Sequence, residues 1–447
     1  MSPQKRIAIL GAAESGVGAA ILAQKHGYDV FVSDAGRIAE VYRQQLTQRN
    51  IAFEEGSHTW SLIGNAGEVI KSPGIPDKVE IIKKLKKQGT PVISEIEFAG
   101  RYTDAKKICI TGTNGKSTTT LLTYHVLSKA GFNVGLAGNI GKSFAWQVAE
   151  ENYDHYVIEL SSFQLDGMYS FKADIGILLN ITPDHLDRYE YSLQNYINSK
   201  FRILQNQTKN DAFIYCADDT LIETELLKLN PVAQCYPFSI HKEEGMSAFI
   251  KDNQIQLNIQ NKLFTMSIFE LALQGKHNLY NSMAAGVAAR ILDIRKEVIR
   301  DSFADFRNAE HRMEFVTTVH GVDFINDSKA TNVNSAWFAL ESMQKPVIWI
   351  VGGIDKGNDY SMLTDLVKEK VKAIVCMGTD NKKIHDAFGN IIKDMADATS
   401  AEEAVALAYK MSKKGDVVLL SPCCASFDLF KNYEDRGRQF KSAVRSL

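Results

Sequence analysis

No apolar run in this chain approaches the ~18 residues that a bilayer-spanning helix needs, and Met1 to Arg6 is polar and leads directly into an expected strand. A membrane span and a secretory leader are therefore not expected. The six cysteines (Cys109, Cys216, Cys235, Cys376, Cys423, Cys424) never fall at C-x-x-C spacing. Two of them lie in expected buried strands, so they read as small core hydrophobes of a reducing compartment. Net charge is only −2, which gives no ground for a nucleic-acid partner or an anionic membrane surface. Internal repeats and low-complexity segments are missing as well. What remains, 45% hydrophobic and 23% charged over 447 residues, is a globular composition with length for roughly three domains. A cytoplasmic protein is the expectation.

The stretch around which the chain is organised is Lys106-Lys107-Ile108-Cys109-Ile110-Thr111-Gly112-Thr113-Asn114-Gly115-Lys116-Ser117-Thr118. Its apolar part, bounded by lysines, reads as a buried parallel strand. Gly112 and Gly115 allow a tight turn, and Leu121, Leu122 and Val126 give the helix that follows an apolar stripe. A strand, a Gly-rich turn and a helix N-terminus together cradle an anion. Lys116 would reach the β- and γ-phosphates of a nucleotide and Ser117 a magnesium ion. The full phosphate-loop pattern wants glycine where Ile110 stands, so this is a variant of it. An ordinary Gly-rich turn is the competing reading.

Upstream, Arg6 to Leu10 is a strand, followed by Gly11, Gly16 and Gly18, and a second strand, Asp29 to Ser33, ends at Asp34. This is a nucleotide-binding opening with an acid where a ribose could sit. The glycine spacing departs from the dinucleotide fingerprint, which predicts a longer turn. Val69 to Ile75 is another strand ending in a turn. A plain α/β layer, with Asp34 a solvated strand end, stays open.

Downstream, Tyr156 to Leu165 reads as a buried strand carrying Glu159, a carboxylate that is costly unless paired or metal-bound. It is either a magnesium ligand, as the neighbouring strand of phosphate-loop proteins provides, or a hydrogen-bonded structural acid. Ala173 to Asn180 is a third strand, ending in Thr182 to Tyr189. His185 there suits a metal ligand or a substrate-orienting group, against a structural histidine. Lys200 lies on a helix over Ser192 to Leu204 that would by default be solvated. His277 and Asn278 open another helix, where they either cap it or read a purine edge. In the last part, Val347 to Val351, Ala373 to Met377 and Val417 to Leu420 alternate with helices over Met362 to Lys370 and Glu402 to Lys413. That predicts a third, mostly parallel α/β layer with its polar motifs on one sheet edge, a face able to close over the phosphate site.

Thr111 to Thr118, Glu159-Leu160-Ser161-Ser162-Phe163-Gln164-Leu165 and Asp184-His185-Leu186-Asp187-Arg188-Tyr189 occur in this order. They are followed by Gly275-Lys276-His277-Asn278, His311-Arg312, Asn326-Asp327-Ser328-Lys329-Ala330-Thr331-Asn332 and Leu420-Ser421-Pro422 onward. Together they cover essentially the whole chain and resemble the Mur ligases of peptidoglycan synthesis. The Ser-Ser-Phe-Gln-Leu, Asp-His-Leu-Asp-Arg-Tyr and Cys-Ala-Ser-Phe-Asp runs are similar to the D-glutamate-adding branch. The Asp-Asn-Pro-Arg-like loop of the diaminopimelate- or lysine-adding branch is absent.

The resemblance implies an α/β protein of three domains: Rossmann-like over 1–97, a central phosphate-loop ATPase-type domain over 98–307, and Rossmann-like over 308–447. It implies ATP-dependent joining of D-glutamate to UDP-N-acetylmuramoyl-L-alanine through an acyl phosphate, by a monomer with no nucleic-acid or membrane partner. Gly112, Thr113, Asn114, Gly115, Lys116, Ser117 and Thr118 would hold the ATP phosphates. Asn278 would read adenine, Asp327 the ribose, Arg312 the γ-phosphate and Lys329 the phosphates or the acyl phosphate. Asp34, Ser72, Pro73, Gly74, Asn139 and Ser161 would contact the UDP-muramoyl substrate, and Thr331, Lys356, Ser426 and Phe427 D-glutamate. Ser117, Glu159, His185 and a carbamylated Lys200 would hold two magnesium ions, and Lys116, His185, Lys200 and Arg312 would be catalytic. The rivals are a folylpolyglutamate-type ligase, whose family starts near the phosphate loop, an NAD-dependent dehydrogenase built on the first domain, and a non-catalytic nucleotide-binding regulator.

Overall fold

The computed structural model describes residues 5–260, 262–307 and 310–447. The expected start of the third domain, residue 308, and residues 1–4 lie outside them. Three sheets follow one another along the chain. The first has five parallel strands, β1 (Arg6–Leu10), β2 (Asp29–Asp34), β3 (Ala52–Glu55), β4 (Glu68–Lys71) and β5 (Val92–Ile93), in the order β3-β2-β1-β4-β5. The glycines of its first turn behave differently from the sequence expectation. The helix after β1 starts at Glu14, so the turn is short, and Gly16 and Gly18 lie inside the helix. They are there for close approach: a Cβ on Gly16 would stand 1.9 Å from the Gly11 carbonyl oxygen, and one on Gly18 2.3 Å from Ser143 Oγ.

The central sheet holds nine strands: β6 (Lys106–Thr111), β7 (Val134–Gly138), β8 (His155–Glu159), β9 (Ile175–Leu178), β10 (Ala212–Cys216), β11 (Gln234–Ser239), β12 (Ala248–Lys251), β13 (Gln254–Ile259) and β14 (Lys262–Ser267). Their order is β14-β13-β12-β11-β10-β9-β6-β8-β7, parallel except for the antiparallel β12-β13-β14 end. The expected phosphate-loop strand β6 lies in the interior, between β8 and β9. The third sheet has the order β15-β16-β20-β17-β18-β19, with β15 (Glu314–Val319), β16 (Val322–Asn326), β17 (Val347–Val351), β18 (Val371–Met377), β19 (Asp394–Ala398) and β20 (Val417–Leu420). All its pairs are parallel except the β15–β16 hairpin.

The chain forms two compact units, Met1–Ala272 with Asn278–Phe306, and Leu273–His277 with Arg307–Leu447. The first unit contains two sheets, and buried carboxylates on the short helix Glu95–Ala99 join them. Glu95 accepts from Ser143 Oγ at 2.7 Å and Ala145 N at 2.5 Å, and burial pushes its pKa up to about 7. Glu97 accepts from the backbone N–H groups of Tyr169, Ser170 and Phe171 at 3.0, 3.0 and 2.8 Å. Without that carboxylate three amides lose their acceptor, at ~1 kcal/mol or more each. Glu97→Ala is accordingly expected to destabilise the chain by ~3 kcal/mol, seen as a lower urea midpoint with the m-value unchanged.

Among the described residues no helix is long and apolar enough to cross a membrane. Five cysteines are buried, and Cys235 is exposed.

Candidate active site

Three neighbouring strand ends, of β6, β8 and β9, set the site of the first unit, at the carboxyl edge where parallel sheets receive ligands. From β6 the chain turns through Gly112 to Gly115 and enters the helix Lys116–Lys129. Asn180, just past β9, fastens this loop from outside. Its Oδ1 accepts from Asn114 N at 2.8 Å, its Nδ2 donates to Asn114 O at 3.0 Å, and its own carbonyl accepts from Thr113 N at 2.9 Å. Thr113 Oγ1 lies 3.1 Å from the Tyr196 hydroxyl. Asn281 accepts from Thr119 Oγ1 and donates to Asn278 Oδ1, both at 3.1 Å, which chains Asn278 to the helix after the loop. Lys116 Nζ donates to the carbonyls of Gly112 and Thr113 at 3.0 and 2.7 Å.

Glu159 ends β8 and is 1% exposed. One oxygen accepts from Asn139 Nδ2 at 2.7 Å, while Oε2 is buried with no hydrogen-bond partner among the described residues. Gly138 makes that pairing possible: its φ is +100°, and a Cβ there would stand 2.2 Å from the Glu159 carbonyl oxygen. A buried carboxylate oxygen lacking a donor is costly, and a bound cation relieves it. Glu159 and Ser117 carry hard oxygen donors of the kind that fit magnesium.

Lys200 comes from the helix Leu193–Phe201 and is 1% exposed. Its Nζ donates to Gly112 O at 2.7 Å, the same carbonyl that Lys116 uses. Burial, with repulsion from Lys116, holds its pKa well below the ordinary value, while Asp184, Glu159 and Asp166 pull the other way. The sequence default of a solvated lysine is thus overturned. His185 has a left-handed φ of 52° and packs edge-on to Phe163, with ring centroids 5.2 Å apart. Arg188 lies over the same ring at 4.3 Å and reaches the carbonyls of Pro73 and Gly74 at 3.4 Å, bringing the Asp184 to Tyr189 run to the Ser72 loop. Both oxygens of Asp34 are taken by backbone, Ala12 N at 2.7 Å and Gly36 N at 2.8 Å. Ser161 caps the helix Ser162–Leu165 in a capping box with Gln164.

In the second unit Arg312, Asp327, Lys329, Thr331, Lys356, Ser426 and Phe427 all lie on loops at the carboxyl edge of β16, β17 and β20. Asp327 is buried and accepts from Met313 N at 3.2 Å and Ser421 Oγ at 3.0 Å. Burial pushes its pKa up to about 7 against the pull of Arg312. His277 is pushed down to about 4, by burial first and then by Arg312. Ser426 is buried, Lys356 is exposed and Phe427 is 68% exposed, an unusual state for an aromatic ring.

Residues 6–81, 110–289 and 311–424 match family models described as MurD N-terminal domain, Mur ligase middle domain, and Mur ligase, glutamate ligase domain. A curated protein of Bacteroides thetaiotaomicron, named UDP-N-acetylmuramoylalanine--D-glutamate ligase, is 59% identical over 446 residues, 99% of this chain and 100% of its own. The chain belongs to the Mur ligase family. A relative of the same name from Salinibacter ruber is 40% identical, covering 99% of this Mur ligase and 98% of its own chain. Among solved structures, UDP-N-acetylmuramate-alanine ligase MurC of Thermotoga maritima superposes with a TM-score of 0.63 at 18% identity over 99% of both chains. MurF of Thermotoga maritima, in complex with ADP, gives 0.61 at 15% identity over 93% of this chain and 95% of that one. These two likenesses concern the fold. The match over 6–81 removes the ground for a dehydrogenase built on the first sheet.

Sequence reasoning missed four residues that position this Mur ligase's loops: Asn180, Tyr196, Asn281 and Arg436. Tyr196 carried a signal, since it stands four residues before Lys200 and so shares its helix face. Arg436 is fully buried and donates to Ser328 Oγ and O, to Cys424 O and to Gly352 O, tying three loops of the second unit. Nothing local in sequence announces that.

Proposed function

We propose that this Mur ligase joins the L-alanyl carboxylate of UDP-N-acetylmuramoyl-L-alanine to the amine of D-glutamate at the expense of ATP. The observation carrying this reading is the 59% identity over nearly the full length of both chains to a protein named for that reaction. A carboxylate is a poor electrophile. Its oxygen attacks the γ-phosphorus, ADP leaves, and the acyl phosphate formed is displaced by the amine, releasing phosphate and a proton. The first step brings two anions together, and at ~4 Å their repulsion is about 4 kcal/mol at an effective dielectric near 20.

The chain's residues offset that repulsion and hold the partners in place. The loop Gly112 to Thr118 receives the triphosphate, with Lys116 at its β- and γ-phosphates. Asn278 reads adenine, Asp327 the ribose, and Arg312 and Lys329 the transferring phosphoryl group. Asp34, through the turn it fastens, with Ser72, Pro73, Gly74, Asn139 and Ser161, receives the UDP-muramoyl group. Thr331, Lys356, Ser426 and Phe427 receive D-glutamate. The three domains, over 1–97, 98–307 and 308–447, would then centre on UDP-sugar, ATP and amino acid respectively. The central domain would also contribute Asn139 and Ser161 to the UDP-sugar, and the third Arg312, Asp327 and Lys329 to ATP. Magnesium, two ions, at Ser117, Glu159, His185 and the Lys200 carbamate, supplies further positive charge when bound. The carbamate forms when the neutral Lys200 amine adds to carbon dioxide and loses a proton, and the buried, charge-disfavoured amine supports this. A monomer working in the cytoplasm completes the reading.

The test is phosphate release from ATP with UDP-N-acetylmuramoyl-L-alanine across a panel of D- and L-amino acids. Release with D-glutamate far above every other amino acid is expected. Preference for diaminopimelate or lysine, or release with no amino acid at all, sinks the proposal.

A further inference from the structure

Away from the loops assigned above, the third sheet brings a thiol, an imidazole and a carboxylate to one place. Cys376, near the end of β18, pairs in register with Asp397, near the end of β19. In parallel strands register partners point to the same face. The crossover helix Lys382–Phe388 between those strands carries His385, whose Nε2 lies 3.0 Å from Asp397 Oδ1. One donor atom from each of the three residues falls within 4.8 Å of the others. Cys376 is buried, His385 is partly exposed and Asp397 faces solvent, so the cluster has a wall and an opening. Asn381 Nδ2 donates to Asp397 Oδ1 at 2.8 Å and holds that carboxylate from the side.

We propose that Cys376, His385 and Asp397 bind a thiophilic divalent cation of the zinc class, with solvent as the fourth ligand. Sulfur, nitrogen and oxygen donors around a tetrahedral zinc stand about 3.5 Å apart, given bond lengths of about 2.0–2.3 Å. The histidine and aspartate, 3.0 Å apart, would open by about 0.5 Å as the ion replaces their hydrogen bond. The thiol would close by about 1.3 Å at most. The charges balance: a thiolate, a carboxylate and a neutral imidazole neutralise one divalent ion. Binding releases the thiol proton, and the imidazole nitrogen that coordinates carries none. A surface ion pair between His385 and Asp397, with Cys376 packed in the apolar core, would explain each residue separately but not why the thiol falls within 4.8 Å of both. The thiol also separates this donor set from that of the proposed magnesium site, which has no sulfur ligand. A bound ion pins the crossover helix to two strands whose next loop, Gly378-Thr379, is held by Asp428 through Thr379 N at 3.1 Å.

Cobalt(II) titration of the purified full-length chain tests this, because only a thiolate ligand gives the near-ultraviolet sulfur-to-cobalt charge-transfer absorption. One equivalent per chain is expected to develop that absorption together with four-coordinate ligand-field bands, and zinc to abolish both. Cys376→Ser should remove the charge-transfer band, and His385→Gln should weaken binding by more than the roughly 10–100-fold that changes around a ligand shell cost. Cys235→Ser, at the exposed cysteine, should leave the band unchanged. If Cys376→Ser does not fold, as read by near-ultraviolet circular dichroism, the surface variants His385→Gln and Asp397→Asn decide alone. No charge-transfer band in the unaltered chain, a band that survives Cys376→Ser, or an affinity unmoved in His385→Gln and Asp397→Asn overturns the proposal.

Discussion

Lys116→Ala is expected to lower kcat/KM for ATP-dependent ligation at least ~10²–10³-fold, a loss of about 3–4 kcal/mol of transition-state stabilisation. The size follows from the charge problem of the first step. Two anions approach each other, and the ~4 kcal/mol of repulsion is worth about a thousandfold in rate if nothing offsets it. Lys116 is the cation at the mouth of the loop, and its Nζ already sits 2.7 Å from Thr113 O and 3.0 Å from Gly112 O. Ser117 and Thr118 are buried in the first turn of the helix and cannot supply the missing charge. The side chain carries little of the fold, so the thermal midpoint should stay within a few degrees of the parent. Steady-state phosphate release with all three substrates measures the effect. Near-normal turnover would take the phosphate-loop assignment away.

The parts of this structure legible in sequence are those where local pattern and buried position agree. Ile108 to Thr111 followed by Gly-Thr-Asn-Gly-Lys-Ser carries its own geometry, and β6 and its helix appear where expected. Strands Val347–Val351 and Val417–Leu420 are continuous apolar runs buried on both faces, the strongest strand signal available. By contrast β11 to β14 drew no expectation. Gln254–Ile259 does alternate, with Ile255, Leu257 and Ile259 buried, but short strands at the end of a sheet give a weak signal. The first turn went wrong because three glycines were read as turn residues, whereas Gly16 and Gly18 serve helix packing against Gly11 and Ser143. The site divides the same way. Glu159 stood out as an acid in an apolar strand. The burial of Lys200 depends on contacts with Tyr196, which the i,i+4 spacing announces, and with Gly112, which is distant in sequence and which no spacing rule supplies. The Cys376, His385 and Asp397 cluster arises from strand register, which only the fold determines.

Lys200→Ala is expected to abolish ligation, and added formate or acetate to restore part of it. The structure places this amine where a charged lysine is disfavoured: buried, beside Lys116, with Gly112 O at 2.7 Å and Thr111 Oγ1 at 3.5 Å as its acceptors among the described residues. A lysine held towards its neutral form is a nucleophile for carbon dioxide, and the resulting carbamate is an anion able to face magnesium. Truncation to alanine leaves a buried space next to the loop, which a short carboxylate can enter to replace the lost negative group. Two comparisons separate this from a structural role. If Lys200 only ties down Gly112 O, acids will not rescue Lys200→Ala, and Lys200→Arg, which keeps a donor, should retain activity. If the carbamate is needed, Lys200→Arg is as inactive as Lys200→Ala, and the unaltered enzyme loses activity when bicarbonate is stripped from the buffer. Full activity of Lys200→Ala without bicarbonate or added acid would remove the carbamate and, with it, the account of how two anions are brought together at this loop.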